Sequence, residues 1–129
     1  MPKTFKELCG SCWPKRWDEA WEHEVHDWFT QGHCHVLAVE LAKRHGWEVW
    51  ACDVHAVARR PDGVLVDADG EHPDFLQLDA VWKPIEPFAQ EKASHEAFKS
   101  WALNFSKHDE RRIRRWAKKL AARLPAERA

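Results

Sequence analysis

The chain has 129 residues, nine of them tryptophan and six phenylalanine, which is enough for one domain with a substantial core and too few for two. Its formal net charge of −1 hides an uneven distribution, because residues 107–129 carry +6 and the rest of the chain carries −7. No stretch is long and apolar enough to span a membrane, and residues 1–7 lack the apolar core of a signal peptide. We therefore expect a single cytoplasmic domain, residues 1–129, with reduced cysteines.

Two cysteines near the N-terminus belong to a known sequence signature. Residues 9–13 spell Cys-Gly-Ser-Cys-Trp, the local pattern around the nucleophile of papain and the cathepsins, which would make Cys12 catalytic. In that family the His and Asn follow about 130–150 residues later, which this chain cannot provide. In addition, Lys6 stands where an oxyanion-stabilising glutamine is expected. We interpret the match as coincidence.

The same cysteines also suggest a metal site. The pairs Cys9/Cys12 and His23/His26 approximate a Cys2His2 zinc pattern, and the histidines at positions 33 and 35 are spare ligands. Both the interval between the pairs and the interval within the His pair are shorter than usual. The alternative is that the cysteines pack as small hydrophobic residues and the histidines lie on a solvated helix face. We predict no metal and no other cofactor.

Two apolar stripes predict consecutive helices. The first runs from Lys15 to Phe29 and is rich in tryptophan, and such a stripe usually faces the core. The second predicts a helix over residues 33–45 that Gly46 ends. Cys34 then lies in the first turn, where unpaired N–H groups and the helix dipole stabilise a thiolate. Protonated imidazoles on the flanking residues, His33 and His35, would strengthen this effect.

Three strands are predicted after this helix. Residues 47–52 alternate as a strand, and residues 55–59 and 64–69 form a hairpin joined by a Pro-Asp-Gly turn. If the loop has three residues and a glycine bulge, residue 57 faces residue 67 and residue 55 faces residue 69. Asp67 and Asp69 would then project from the same face as His55. A two-residue loop would place both carboxylates on the other face.

These residues together resemble a family of enzymes. The matching segments are Gly32-x-Cys34-x-x-x-Ala38-x-x-Leu41, His55-Ala56, Pro61-Asp62-Gly63 and Val66-Asp67-Ala68. They resemble the core of the papain-like and transglutaminase-like cysteine hydrolases, over roughly residues 31–70.

The resemblance implies thiol-based acyl chemistry on a protein or peptide substrate. Cys34 is the expected nucleophile, His55 the general base and acid, and Asp67 the group that orients the imidazole. The Cys34 backbone N–H and Gln31 are expected to stabilise the oxyanion, and Asp69 is a supporting carboxylate. The alternative is that Cys34 only packs in an apolar helix. The segment between the Cys helix and the His strand is short for this family, and Val57 replaces an aromatic residue, so a compact or inactive member fits the pattern.

The C-terminal half is predicted to be largely helical. Residues 71–74 are expected to be a linker, and residues 75–82 fit a helix or a strand. Pro84 and Pro87 then interrupt the chain. Apolar stripes predict a helical pair at residues 89–105 and 107–124. We therefore expect an α+β fold, with a small antiparallel sheet packed with helices, a papain-like or transglutaminase-like core and a C-terminal helical pair.

The last predicted helix suggests a second function. It carries a concentrated positive face that includes Arg111, Arg112, Arg114 and Arg115. Such a face is typical of contact with nucleic acid or with an acidic protein. The alternative hypothesis is therefore a non-enzymatic binding or inhibitory protein that acts through this helix. A solvated helix that balances the acidic remainder of the domain would show the same pattern.

Overall fold

The computed structural model describes residues 2–30, 33–52, 55–72, 82–86 and 107–124, with side chains of the last segment described from residue 111. The protein is a mixture of helices and sheet. The helices are α1 (Phe5–Cys9), α2 (Trp17–Ala20), α3 (His26–Thr30), α4 (Cys34–His45) and α5 (Lys107–Arg123). A short 3-10 helix, Gly10–Cys12, follows α1, and a π-helical segment, Trp21–Val25, joins α2 to α3. The strands are β1 (Glu48–Ala51), β2 (Ala56–Arg59), β3 (Leu65–Asp67), β4 (Gly70–His72) and β5 (Lys83–Ile85).

The strands form one open antiparallel sheet in the order β4-β3-β2-β1-β5. The three predicted strands are its centre, so the small antiparallel sheet is confirmed, and two further strands extend it. Strand β5 contains Pro84, which pairs with Trp50 of β1. Because proline lacks an N–H group, it is tolerated at the edge of a sheet and not in its centre.

The hairpin has the predicted bulged register. Ala58 pairs with Val66, and the Arg60 N–H donates to the Val64 carbonyl at 2.9 Å. Three residues therefore form the loop. Asp62, inside it, accepts hydrogen bonds from the Val64 N–H and the Arg60 guanidinium. These local hydrogen bonds stabilise the three-residue loop. That loop gives the register in which Asp67 lies on the same face of the hairpin as His55.

The prediction of a linker over residues 71–74 is wrong for residues 71 and 72, which belong to strand β4, Gly70–His72. This strand pairs with β3, and on its outer side the Glu71 N–H donates to the Lys3 carbonyl at 2.8 Å. The Glu71 carboxylate in turn accepts hydrogen bonds from the Lys3 N–H and from Arg60. Apolar alternation does not reveal this strand, because its side chains make polar contacts.

The core lies around α4, which packs against β2 on one side and α5 on the other. Its inward residues include Leu37 and Leu41, which are almost fully buried, as are Ile113 and Leu120 of α5. The predicted helices 33–45 and 107–124 are confirmed, whereas the predicted helix 89–105 lies outside the described residues. Within the described segments, none of the helices has the length and apolar character that crossing a membrane requires.

Gly70, the first residue of β4, is expected to be the most sensitive glycine. Its φ of +99° is unfavourable for other residues, and a Cβ would lie 2.7 Å from the Thr4 Cα and closer still to the Lys3 carbonyl oxygen. We expect Gly70→Ala to lower the free energy of unfolding, measured in urea, by about 3 kcal/mol or more. Gly46→Ala is the matched control, because φ is also positive but nothing lies within 4 Å, so it should cost only about 1 kcal/mol. Equal losses of stability in Gly70→Ala and Gly46→Ala would show that the Lys3–Thr4 segment moves aside at little energetic cost.

Candidate functional site

Cys34 is the first residue of α4, as predicted. Its side chain is buried, with 8 % exposed, and packs in a small apolar cluster with Ala38, Val49 and Ala56. The helix ends at Gly46 in a left-handed conformation, as the sequence indicated. The thiol therefore lies where the start of the helix meets the beginning of β2, at the positive end of the helix dipole.

His55 and Asp67 are in direct contact. The His55 Nε2 lies 2.7 Å from the Asp67 Oδ2. This contact follows from the hairpin register, which places residue 67 opposite residue 57 on the face that His55 shares. Because Nε2 is engaged by Asp67, Nδ1 is the nitrogen left to face the Cys34 thiol, whose pKa His55 lowers. One imidazole ring thus both influences the thiol of Cys34 and contacts the carboxylate of Asp67.

The thiol of Cys34 is acidic despite its burial. Burial alone would raise the pKa of Cys34. Hydrogen bonds from His35 and His55, the positive charge of His55 and the Ala56 N–H outweigh it and lower the pKa to about 6. A buried thiol without such partners behaves differently: burial raises the pKa of Cys9 to about 12. Cys34 is therefore a thiolate at neutral pH.

The imidazole and the carboxylate are charged at neutral pH. Burial would lower the pKa of His55, but hydrogen bonds to Asp67 and Cys34 raise it to about 10. Burial would raise the pKa of Asp67, but hydrogen bonds from His55 and His72 lower it to about 2. Because the carboxylate is ionised, it can only accept, so each histidine donates its Nε2–H to it. The resting state is a thiolate–imidazolium pair held by a carboxylate.

The two histidines beside Cys34 behave differently from each other. Only a protonated His33 would add positive charge, and burial, followed by the charge of His35, lowers its pKa to about 4. His33 is therefore neutral near pH 7 and does not add to the stabilisation of the thiolate. His35, in contrast, contributes to lowering the pKa of Cys34.

His72 is a member of the site that the sequence analysis did not identify. Its Nε2 lies 2.8 Å from the Asp67 Oδ1, and the Asp69 N–H donates to the same oxygen at 2.9 Å. Asp69 supports the site through its backbone, since its carboxylate pairs with His26 at 2.7 Å and not with His55. The only available signal for His72 was its place two residues beyond a glycine after the Asp strand.

Gln31, the other predicted oxyanion donor, lies outside the described residues. The zinc hypothesis gains no support from the described part of the chain, where no group of three or more His, Cys, Asp or Glu side chains is arranged to hold a metal ion. Cys9 is buried in the core cluster and Cys12 is exposed. His26 is paired with Asp69.

The predicted basic face is partly engaged in packing within the protein. Arg112 forms an ion pair with Glu24, with atoms 2.7 Å apart, and its guanidinium lies over the Trp28 ring. Arg111 and Arg115 are exposed and Arg114 is half-buried. These arginines lie on α5, away from the contacts that join Cys34, His55 and Asp67.

Comparisons of the chain with protein-family models, with curated proteins and with solved structures found no match. The fold and the site define the molecule as a small α+β domain whose helix start and neighbouring strands bring a thiol, an imidazole and a carboxylate together. Its chemistry is therefore argued from that geometry.

Proposed function

We propose that the protein is a cysteine-dependent hydrolase or transferase of amides or other acyl groups. The observation that carries this proposal is the His55–Asp67 pair, 2.7 Å apart, beside the buried Cys34 thiol at the start of α4, whose pKa is lowered in part by His55. Structural cysteines in apolar surroundings have raised pKa values, whereas nucleophilic cysteines have lowered ones. The same reasoning favours chemistry over packing for Cys34.

The arrangement supports a two-step mechanism. The Cys34 thiolate attacks a carbonyl carbon, forming a carbon–sulfur bond, and the imidazolium of His55 gives its proton to the leaving amine as the carbon–nitrogen bond breaks. The product is a thioester on Cys34. Water or an amine then attacks it, His55 takes up the proton of the incoming group, and the thiolate leaves. Throughout, Asp67 keeps the imidazole oriented and stabilises its positive charge.

The N-terminus of α4 is suited to stabilise the negative charge that develops on the substrate carbonyl oxygen when the thiolate attacks. Cys34 is its first residue. The Val36 N–H donates to the His33 carbonyl, but in general the first N–H groups of a helix have no earlier turn to bond to. Such N–H groups stabilise an oxyanion. A helix that begins at the nucleophile, followed by antiparallel strands that carry the base and then the carboxylate, supports a compact papain-like or transglutaminase-like core. The proposed substrates are amides of proteins or peptides: a peptide bond, an isopeptide bond or a glutamine side chain.

Acylation by an activated ester tests the proposal directly. We expect p-nitrophenyl acetate to release a burst of p-nitrophenol equal to the enzyme concentration, with the acetyl group found on Cys34 by peptide mass spectrometry. The burst rate should rise with pH through about 6, the pKa of Cys34. The matched control is Cys12→Ala, which removes an exposed cysteine and should leave the burst unchanged. The absence of a burst in a folded wild-type protein, or a burst that survives Cys34→Ala, would refute the proposal.

The binding hypothesis has less support. Of its four arginines, Arg112 already pairs with Glu24, and exposed charge on a helix is the ordinary condition of a solvated face. The proposed enzyme explains two unusual features, an acidic buried thiol and a buried ionised carboxylate, that binding through α5 leaves without a role.

A further inference from the structure

We infer that His72 is a positioning residue of this site, whose imidazole holds the Asp67 carboxylate in the orientation that engages His55. The inference rests on the proposed function, which it deepens by adding a fourth side chain. His72 acts through Asp67, because its imidazole contacts the carboxylate and not the reacting sulfur.

The position of β4 beside β3 brings His72 close to Asp67. In the pairing of β3 with β4, Gly70 lies opposite Asp67 and His72 lies opposite Leu65, so all these positions share one face of the sheet. The place that a Gly70 Cβ would take is occupied by the Lys3–Thr4 backbone, so the side chain that contacts Asp67 from β4 comes from the diagonal position. From that position the His72 Nε2 lies 2.8 Å from the Asp67 Oδ1.

The two carboxylate oxygens of Asp67 accept hydrogen bonds from different groups. Oδ1 accepts from the His72 Nε2 and the Asp69 N–H, and Oδ2 accepts from the His55 Nε2. Two donors on Oδ1 define the rotation of the carboxylate, which leaves the Oδ2 lone pair aimed at His55. With only the Asp69 N–H, the carboxylate could turn about its Cβ–Cγ bond and lengthen its hydrogen bond to His55.

His72 is held in place independently of Asp67. Its neighbour Glu71 is tied to the Lys3 backbone and to Arg60, so the end of β4 has contacts on both sides. The side chain is about a quarter exposed. The hydrogen bond to Asp67 raises the pKa of His72, Asp69 adds to this effect and the charge of His55 opposes it.

Two substitutions of His72 distinguish the effect of its hydrogen bond to Asp67 from the effect of its charge. His72→Ala removes both, whereas His72→Gln keeps an N–H donor of similar reach without a titrating ring. We expect His72→Ala to raise the pH at which Cys34 reacts with iodoacetamide by about one unit, a roughly tenfold loss of rate at pH 5. His72→Gln should restore most of that loss. His26→Ala is the matched control, since it removes an imidazole–carboxylate pair at Asp69 and should leave the reaction unchanged.

A second measurement does not depend on the thiol. In the wild type, the His55 Nε2–H should give a strongly deshielded, slowly exchanging proton resonance in NMR spectra because it is hydrogen-bonded to an ionised carboxylate. This signal should be lost or weakened in His72→Ala and retained in His72→Gln. An unchanged signal and an unchanged reaction profile in folded His72→Ala would overturn the inference while leaving the proposed function intact. If Cys34 of the wild type is itself unreactive, the proposed function fails, and the NMR signal alone decides the role of His72.

Discussion

Replacing His55 with alanine is expected to abolish the low-pH reactivity of Cys34. In the wild type the rate of alkylation by iodoacetamide should rise through about pH 6, because the hydrogen bond and the charge of His55 hold the pKa of the thiol there. Without the imidazole, only His35 and the Ala56 N–H still oppose the effect of burial, and the pKa should rise to near the free-thiol value of about 8.5. At pH 6 the rate should then fall by on the order of 100-fold, since each pKa unit is a tenfold change in thiolate below the pKa.

The control for this prediction is His23→Ala. His23 is exposed, on the π-helical segment, so the substitution removes an imidazole without touching the site and should leave the profile of Cys34 unchanged. Cys9 provides an internal reference, because its raised pKa of about 12 should keep it unreactive between pH 5 and 9. A Cys34 profile in His55→Ala that coincides with the wild type would mean that the thiol is not activated by His55.

Replacing Asp67 with asparagine is expected to cause the largest loss of stability at neutral pH. Asp67 is 6 % exposed and accepts hydrogen bonds from two imidazoles and a backbone N–H. Asparagine has one acceptor oxygen in place of two and no charge, so one imidazole loses its acceptor. Removing one member of a buried ionic group usually costs about 3–5 kcal/mol. We expect a loss of that order in the free energy of unfolding, measured in urea at pH 7, together with slower alkylation of Cys34.

The pH dependence of the free energy of unfolding tests whether the ionised Asp67 carboxylate is what stabilises the wild type relative to Asp67→Asn. The pKa of Asp67 is lowered to about 2 in the folded protein from an ordinary value of 3.8. Its ionisation therefore stabilises the fold above pH 3.8, by about 2 kcal/mol. That contribution is lost as the pH falls through 2. Asp67→Asn has no carboxylate to protonate, so it should not lose this contribution in acid. The free energies of unfolding of the wild type and of Asp67→Asn should therefore become more similar as the pH falls.

The control for this second prediction is Asp62→Asn. Asp62 is exposed and pairs with Arg60 in the hairpin loop, so its loss should cost no more than about 1 kcal/mol. If Asp67→Asn costs as little as Asp62→Asn at pH 7, the buried carboxylate does not hold the two imidazoles in the way described.

Local chemistry explains which features could be predicted from the sequence. The start of α4 at Cys34 follows from apolar spacing and a glycine stop, and the hairpin register follows from its Pro-Asp-Gly loop. Both signals act over about ten residues, within the reach of helix periodicity and turn preference. Strand β4 escaped prediction because its side chains make polar contacts that give no apolar alternation, and one of the partners is distant in sequence: the Lys3 N–H donates to the Glu71 carboxylate, 68 residues away.

By itself, therefore, the sequence determined that a cysteine lies in the first turn of a helix and that, with a three-residue loop, His55 and Asp67 share one face of a hairpin. The tertiary structure alone decided the charge states and the remaining partners. Burial makes His33 neutral, packing of α4 on β2 brings the thiol to His55, and the docking of β4 supplies His72 to Asp67. The physical reason is that desolvation and hydrogen bonding between distant segments depend on how the elements pack, which no local pattern of residues encodes.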